Sequence, residues 1–432
     1  MQTFASLKYR NYRWWVSASL VASVGTWMQR VAQDWLVLTE LSDDSGVAVG
    51  ITTALQFGPA LFFSAWAGAL ADRVDRRKLL YATQGAQGLL AAVLGALVLG
   101  GHAQLWHVYV LALLLGVASA FDGPVRNVFV SELVPRESLS NAVGLNSAAF
   151  NTARLIGPGL AGLLIAAVGS GWVFLINAAS FAATLLAIRL IDAGQMFREE
   201  RAKEGSGGTI LDGVRYVRAR TDIIVIFVVV GVVSTFGLNF QLTSALMARV
   251  EFGRGAGEYG ILGSVLAIGS LAGALLAARR ERPRVRLVMG SAFAFGVTSG
   301  LMALMPSYPL FVLSCIPVGF ASLTMLTAAN ATLQLSTAPS MRGRVMALYM
   351  IVFLGATPIG SPLVGWVGEY VSPRWSIGVG SISAVLVALW ALWWTRRRWG
   401  VEVHYSLRTS PRLQIVHPEP PQPGDPTGTE AA

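Results

Sequence analysis

Four charged side chains stand inside long apolar stretches of this chain: Arg30, Asp34, Glu40 and Arg154. A charge in such a place is costly and ordinarily faces a cavity, a partner or an ion path. Arg30 and Asp34 are four residues apart, which on a helix puts them on one face within reach of each other. Asp34 is the only carboxylate in the central part of any apolar stretch; Glu40 lies near an end. A carboxylate there can take up and release a proton. Asp34, with Arg30 as its modulator, is therefore the candidate proton-coupling pair, and a static ion pair is the competing reading. At 100° per residue Ser23, Thr26, Trp27, Arg30, Gln33 and Asp34 fall within about 120° of one another, so one helix carries a polar face. Asn151 and Arg154 form a second polar stripe, and Thr235, Asn239 and Thr243 a third. Trp27, Gln33, Asn151, Arg154, Thr235, Phe236 and Asn239 are the candidates for a cavity wall, with Trp35 and Phe240 as further aromatic surface, although membrane aromatics more often simply pack. Other chemistries lack their residues. The four histidines are scattered, Cys315 is the single cysteine, and no HExxH, CxxC or Walker A pattern occurs. No enzyme, metal site or cofactor is expected.

These residues need a frame, and composition supplies it. Of 432 residues, 54% are hydrophobic and 13% charged, against about 25% charged in soluble domains. That excess of apolar side chains belongs in a bilayer. Against the roughly 20 apolar residues a membrane-crossing helix needs, the chain reads as twelve spans. They lie near 14–40, 47–71, 79–100, 105–125, 139–168 and 172–191, then 222–247, 258–278, 287–306, 309–331, 345–370 and 374–395. A membrane β-barrel would need short alternating runs, which are absent. An even number of spans puts both termini on one side. If that side is the cytoplasm, 28 of the 33 basic residues lie inside and only Arg249, Arg254 and Arg374 outside. This is the bias that orients membrane helices, and it explains a net charge of +10 without nucleic acid.

The expected organisation is all-α: a six-helix half at 1–191, a cytoplasmic linker at 192–221, a second half at 222–395 and a disordered cytoplasmic tail at 396–432. Within the linker, Ile210, Leu211, Val214, Tyr216 and Val217 interleaved with Arg215 and Arg218 read as a short interfacial helix. The halves echo each other. Gly157, Leu160, Gly162 and Trp172 recur as Gly360, Leu363, Gly365 and Trp375 at a constant offset of 203. A repeat spanning six helices is the pattern of duplicated transporter halves, with a substrate site between them near the midplane.

Between the second and third spans runs Gly68-Ala-Leu-Ala-Asp72-Arg73-Val-Asp-Arg76-Arg77-Lys78. This resembles the signature of the major facilitator superfamily, and with the helix count and duplication the resemblance covers about the first 395 residues. It implies that Gly68 allows close helix approach. It also implies that Asp72, Arg76 and Asp122 form a lock on the outward-open state, although Asp122-Gly-Pro is also turn chemistry. Gly144, Ala153, Gly157, Pro158, Ala161 and Gly162 are similar to the superfamily's antiporter motif, with alanine replacing two glycines; plain small-residue packing is the other reading. The arginine usual near the start of the fourth span is missing, Ala112 standing there, and Arg154 is placed to supply a buried cation instead. Phe121-Asp122-Gly123-Pro124, Leu133-Val134-Pro135 and Asn151 to Pro158 look most like the branch holding siderophore (enterobactin-type), macrolide and multidrug exporters.

The resemblance implies a twelve-helix secondary transporter in a bacterial inner membrane, multi-pass and with both termini cytoplasmic. Its expected activity is proton-coupled export of a bulky hydrophobic or amphipathic small molecule such as a drug or siderophore. Expected partners are that substrate, protons and membrane lipids, with the chain a monomer. An importer or facilitator on the same fold is one alternative. A non-transporting receptor or assembly factor is another, but a scaffold needs no polar face within the membrane.

Overall fold

The computed structural model describes residues 4–197, 210–278, 285–399, 402–405 and 413–416. The side chains at 64, 65, 68, 69, 71–73, 210, 278, 398 and 399, and those of the last two segments, lie outside the described part. The first half contains α1 (Arg10–Leu36), α2 (Gly46–Arg73), α3 (Arg76–Leu99), α4 (Leu105–Leu133), α5 (Arg136–Val168) and α6 (Ser170–Leu190). A short α7 (Ile210–Ala219) leads to the second half: α8 (Thr221–Phe236), α9 (Phe240–Leu246), α10 (Ala256–Ala278), α11 (Val285–Ala303), α12 (Tyr308–Ser336), α13 (Pro339–Tyr370) and α14 (Pro373–Trp399). Among the described residues, eleven helical segments are long and apolar enough to cross a membrane, α8 and α9 counting as parts of one. The twelfth is α1, whose apolar content is diluted by Arg13, Gln29, Arg30, Gln33 and Asp34 but which packs along α5 and α6. The described residues are thus almost wholly helical, in two pseudo-symmetric halves, and with α1 the candidate spans are consistent with the expected twelve.

Helix starts are written locally. The Ser45 side chain accepts from the Ala48 amide at 3.2 Å to begin α2, and Asp75 accepts from the Arg77 and Lys78 amides at 2.9 and 3.3 Å to begin α3. Such caps satisfy amides that a helix leaves unpaired. The duplication extends to backbone irregularities: α1 ends in a π turn at Val37–Leu41 and α9 in one at Met247–Glu251.

Two expectations change. The seventh span is not continuous but breaks at 237–239. There the Asn239 amide group donates to the Thr235 carbonyl at 2.7 Å, taking a backbone acceptor, and Leu238 N reaches back to Val233 O at 3.1 Å. The tail is not wholly without structure, since Glu402–Tyr405 pairs antiparallel with Leu413–Val416. Glu402–Tyr405 alternates polar and apolar types, the strand period. The expected interfacial helix is present as α7, with Tyr216 and Val217 packed on the main core and the Tyr216 hydroxyl accepting from the Ala338 amide at 3.3 Å.

The halves meet along two seams, α2 with α13 and α5 with α10. For orientation within the molecule, the end bearing the α1–α2, α5–α6 and α13–α14 turns is called distal, and the end bearing the N-terminus and the α2–α3 turn terminal. The repeated glycines build both seams. A Cβ at Gly162 would lie 2.5 Å from the Ala256 carbonyl oxygen across the α5–α10 seam, and one at Gly365 would collide with the Gly46 carbonyl across the α2–α13 seam. Their partners in the repeat, Gly157 and Gly360, press α5 onto α1 at Trp27 and α13 onto α8 at Thr235. Each glycine pair therefore serves one contact inside its half and one between halves.

Candidate functional site

A cavity of about 690 Å³ lies between the halves. The first half contributes Trp27, Arg30 and Val31 from α1, Thr53 and Phe57 from α2, and Phe150, Arg154 and Pro158 from α5. The second contributes the run 238–242 with Ser244 around the broken seventh span, Tyr259 and Gly263 from α10, one face of α12 down to Gln334, and Tyr349, Phe353 and Ser361 from α13. At the distal level the cavity stops at Tyr259. Towards the terminal end it continues to Gln334, an exposed residue two positions from the limit of α12. It is therefore closed distally and open terminally. Its size falls in the range of sites for drug-sized molecules, lined by aromatics with a few placed polar groups.

Its charged groups are held on aromatic faces. The Arg30 guanidinium lies 4.9 Å from the Trp27 ring centroid and 5.0 Å from that of Phe57, and the Arg154 guanidinium lies 5.8 Å from the Trp27 ring. Trp27 is itself braced by an edge contact with Phe150 at 6.0 Å. Arg30 also borders a second cavity of about 90 Å³ inside the first half, with Gln29, Gln56, Gln87 and Asn177. The Asn177 amide donates to Gln29 at 2.5 Å.

The expected polar face of α1 is divided. Trp27 and Arg30 face the cavity. Gln33 and Asp34, 1% and 3% exposed, do not line it and are buried against the distal closure. Asp34 interacts with the Arg30 guanidinium and with the hydroxyl of Tyr259, which belongs to the other half. The same Tyr259 ring stacks on Trp35 at 5.7 Å, and its hydroxyl donates to the Gln241 carbonyl at 3.2 Å. Asp34 is thus joined to the seam between halves. Arg154 and Asn239 line the cavity, and Asn239 accepts from the Ser361 hydroxyl at 2.7 Å. Asn151, Thr235 and Phe236 do not line it. Asn151 is exposed and bonds back to Ser147 O, and the Thr235 hydroxyl bonds back to Gly231 O. Phe57, Phe150, Gln241, Tyr259, Tyr349 and Phe353 line the cavity without having been singled out in the sequence. The polar–apolar run 238–243 was the available signal for Gln241; the aromatics, mostly in mid-helix, carried none.

Of the expected lock, the side chains of Arg76 and Asp122 are described. Asp122 is not at the end of a span, because α4 continues eleven residues beyond it to Leu133. It accepts from the Thr83 hydroxyl at 2.8 Å, the Gln84 amide at 2.7 Å and Arg126 at 3.1 Å. The acid that pairs with Arg76 is instead Glu132, in the last turn of α4. Gly68 and Asp72 lie in α2, but their side-chain positions fall outside the described residues. In the antiporter-like motif, Gly157, Pro158 and Gly162 sit at close contacts. Pro158 packs on Gly263, where an added Cβ would lie 2.8 Å from its ring, whereas Gly144 has open space around it.

Distally, polar contacts join the halves. Glu369 at the end of α13 accepts from the Ser45 hydroxyl at 2.6 Å and the Val47 amide at 3.0 Å, and Arg249 pairs with Asp44 at 3.1 Å. Asp43 and Asp44 adopt φ of 48° and 64°, a left-handed conformation that aspartate visits more readily than most residues.

Residues 1–414 match the family profile described as transmembrane secretion effector. The chain is similar to the multidrug efflux pump Tap of Mycolicibacterium fortuitum, 29% identical over 81% of this chain and 87% of that protein. It is also similar to the staphyloferrin A transporter of Staphylococcus aureus, at 25% over 87% and 94%, and to the enterobactin exporter EntS of Shigella boydii, at 25% over 79% and 82%. Among solved structures, a bacterial homologue of the human lysosomal transporter Spinster, in an inward-facing unoccupied conformation, superposes with a TM-score of 0.69 at 16% identity, covering 89% of this chain and 95% of that one.

Proposed function

Because the chain belongs to the transmembrane secretion effector family of the major facilitator superfamily, and is a membrane transporter rather than an enzyme, we propose that it exports bulky amphipathic small molecules from a bacterial cytoplasm in exchange for protons. The observation that carries this reading is the 690 Å³ aromatic and polar cavity, closed distally and open terminally between two duplicated halves. Two halves that meet along small-residue seams can rock about a fixed central site, exposing it to one side at a time. Relatives named for efflux of drugs and export of a siderophore support the outward direction and the substrate size.

In this reading the terminal end is cytoplasmic, as the distribution of basic residues favours, and the structure is the state that loads substrate from inside. Asp34 is the coupling acid. It lies in the field of Arg30 on its own helix and meets the Tyr259 hydroxyl across the seam, so a change in its protonation bears on both the cavity and the distal closure. A proton taken up while the distal end is open would let that end close over a neutral Asp34, and its release inside would follow once the terminal end is open. Arg76 with Glu132, and Asp72 four positions before Arg76 in sequence, act at the terminal end on the balance between the two states.

The test is transport by the purified chain in proteoliposomes under an imposed pH gradient, screened against drugs and siderophores. Accumulation that follows the gradient and collapses with a protonophore is expected. Movement indifferent to the gradient would remove proton coupling and leave a facilitator. Orientation is tested with Cys315 replaced by serine: His102→Cys should react with an impermeant thiol reagent on intact cells, and Gln195→Cys should not.

A further inference from the structure

The charge on the cavity wall is one-sided. Arg30 and Arg154 line it, and among the described residues no aspartate or glutamate does. Among the described residues neither guanidinium has a carboxylate within salt-bridge distance. Their close neighbours are the faces of Trp27 and Phe57, which hold a cation without neutralising it. The one acid near them, Asp34, is buried behind Arg30 against Tyr259 and does not reach the cavity. One carboxylate set against two guanidiniums leaves the wall positive whether or not Asp34 carries a proton. Both cations come from the first half. The facing wall is uncharged, with hydrogen-bonding groups such as Asn330 and Gln334.

Resting on the exporter reading, we propose that the cavity selects amphipathic anions: an apolar, ring-bearing body that stacks against the aromatic wall, with a carboxylate, sulfonate or similar group seated between Arg30 and Arg154. Guanidiniums pair with such oxyanions through parallel N–H donors. Both are positioned on rings before any ligand arrives, so little side-chain freedom is lost on binding. A lipophilic cation of the same shape meets two like charges in a low-dielectric site and is rejected. If the terminal end is cytoplasmic, an anion leaving the cell also moves with a negative-inside potential.

The experiment uses the full chain in lipid nanodiscs and one fluorophore in three forms: a coumarin bearing a carboxylate, the matching carboxamide, and a derivative ending in a primary ammonium. Binding is read by fluorescence anisotropy, with empty nanodiscs subtracted. The carboxylate should bind at least tenfold more tightly than the carboxamide, and the ammonium more weakly still. Arg154→Gln and Arg30→Gln should each erase most of the preference for the carboxylate over the carboxamide. Arg154→Lys, which keeps the charge, should retain most of the preference and guards against a misfolded glutamine variant. Equal or tighter binding of the ammonium form, or an unchanged order in both glutamine variants, overturns the assignment of anions and leaves the exporter reading intact. Failure of the wild-type chain to move any drug or siderophore in proteoliposomes would instead defeat the exporter reading itself.

Discussion

The two ends of the seam between the halves are built by different means. At the distal end, glycines bring backbones into contact, Tyr259 reaches across to Asp34 and Trp35, Glu369 caps the start of α2, and Arg249 pairs with Asp44. At the terminal end, the ion pair of Arg76 with Glu132 and the bonds of Asp122 to Thr83 and Gln84 run between α3 and α4, within one half. The difference teaches where each state is held. Distal contacts stabilise the arrangement seen here, whereas these terminal contacts shape one half as a body that moves. Backbone contact and buried chemistry are also layered distally, with the exposed ion pair outermost. A small residue at the seam and an acid behind it should therefore matter more than the surface charges.

The largest effect is expected from Asp34→Asn, which removes the titrating group joined to both Arg30 and Tyr259. Uphill export and substrate-driven proton movement should be lost altogether, with downhill exchange kept within about threefold. Continued uphill export would reduce the pair to static structure. Gly162→Leu comes next. Its side chain would push α5 away from the Ala256 and Gly260 backbone of α10, and overpacking of that kind costs about 1–3 kcal/mol. Transport should fall at least tenfold, with spin labels on the two halves reporting a wider distal end. Gly144→Leu, in open space, should transport normally, and equal loss in both variants would erase the distinction between seam and surface.

Arg76→Ala is expected to slow transport about fivefold while substrate affinity stays put, since the residue lies away from the cavity; a lost affinity with normal exchange rates would place it in the binding machinery instead. Glu369→Gln weakens a capping interaction worth about 1 kcal/mol, a shift of roughly fivefold towards the distally open state, measurable as faster reaction of a distal cysteine. Arg249→Gln should do least. Exposed ion pairs contribute about 0.2–1 kcal/mol, so a change near twofold, vanishing in high salt, is the expected result of the same labelling assay.

Much of the architecture was legible in the residues. Spans follow from runs of apolar side chains, the expected orientation from arginines, and the duplicated seams from Gly157 and Gly162 recurring as Gly360 and Gly365. The limits of spans were less legible where polar residues continue a helix beyond the apolar run. α4 passes Asp122 and Arg126 to reach Leu133, because a backbone ladder continues where its end is buried by neighbours such as Tyr12 and Trp15.

The candidate site divides along the same line. By itself the sequence determined that Arg30, Asp34 and Arg154 are charges in apolar spans and that Trp27 shares a face with the first two, because helical period is a property of the local backbone. Only the tertiary structure decided what covers that face. Tyr259, some 225 positions away from Asp34, closes over it and leaves Arg30 to the cavity. The break at 237–239 turns 238–242 into a continuous wall segment that no helical wheel describes, and Asn151, on a stripe with Arg154, is left outside. Glu132 rather than Asp122 meets Arg76 because the length of α4 sets which acid stands opposite the start of α3. Period fixes which residues share a side; the packing of distant segments settles whether that side meets substrate, lipid or another helix.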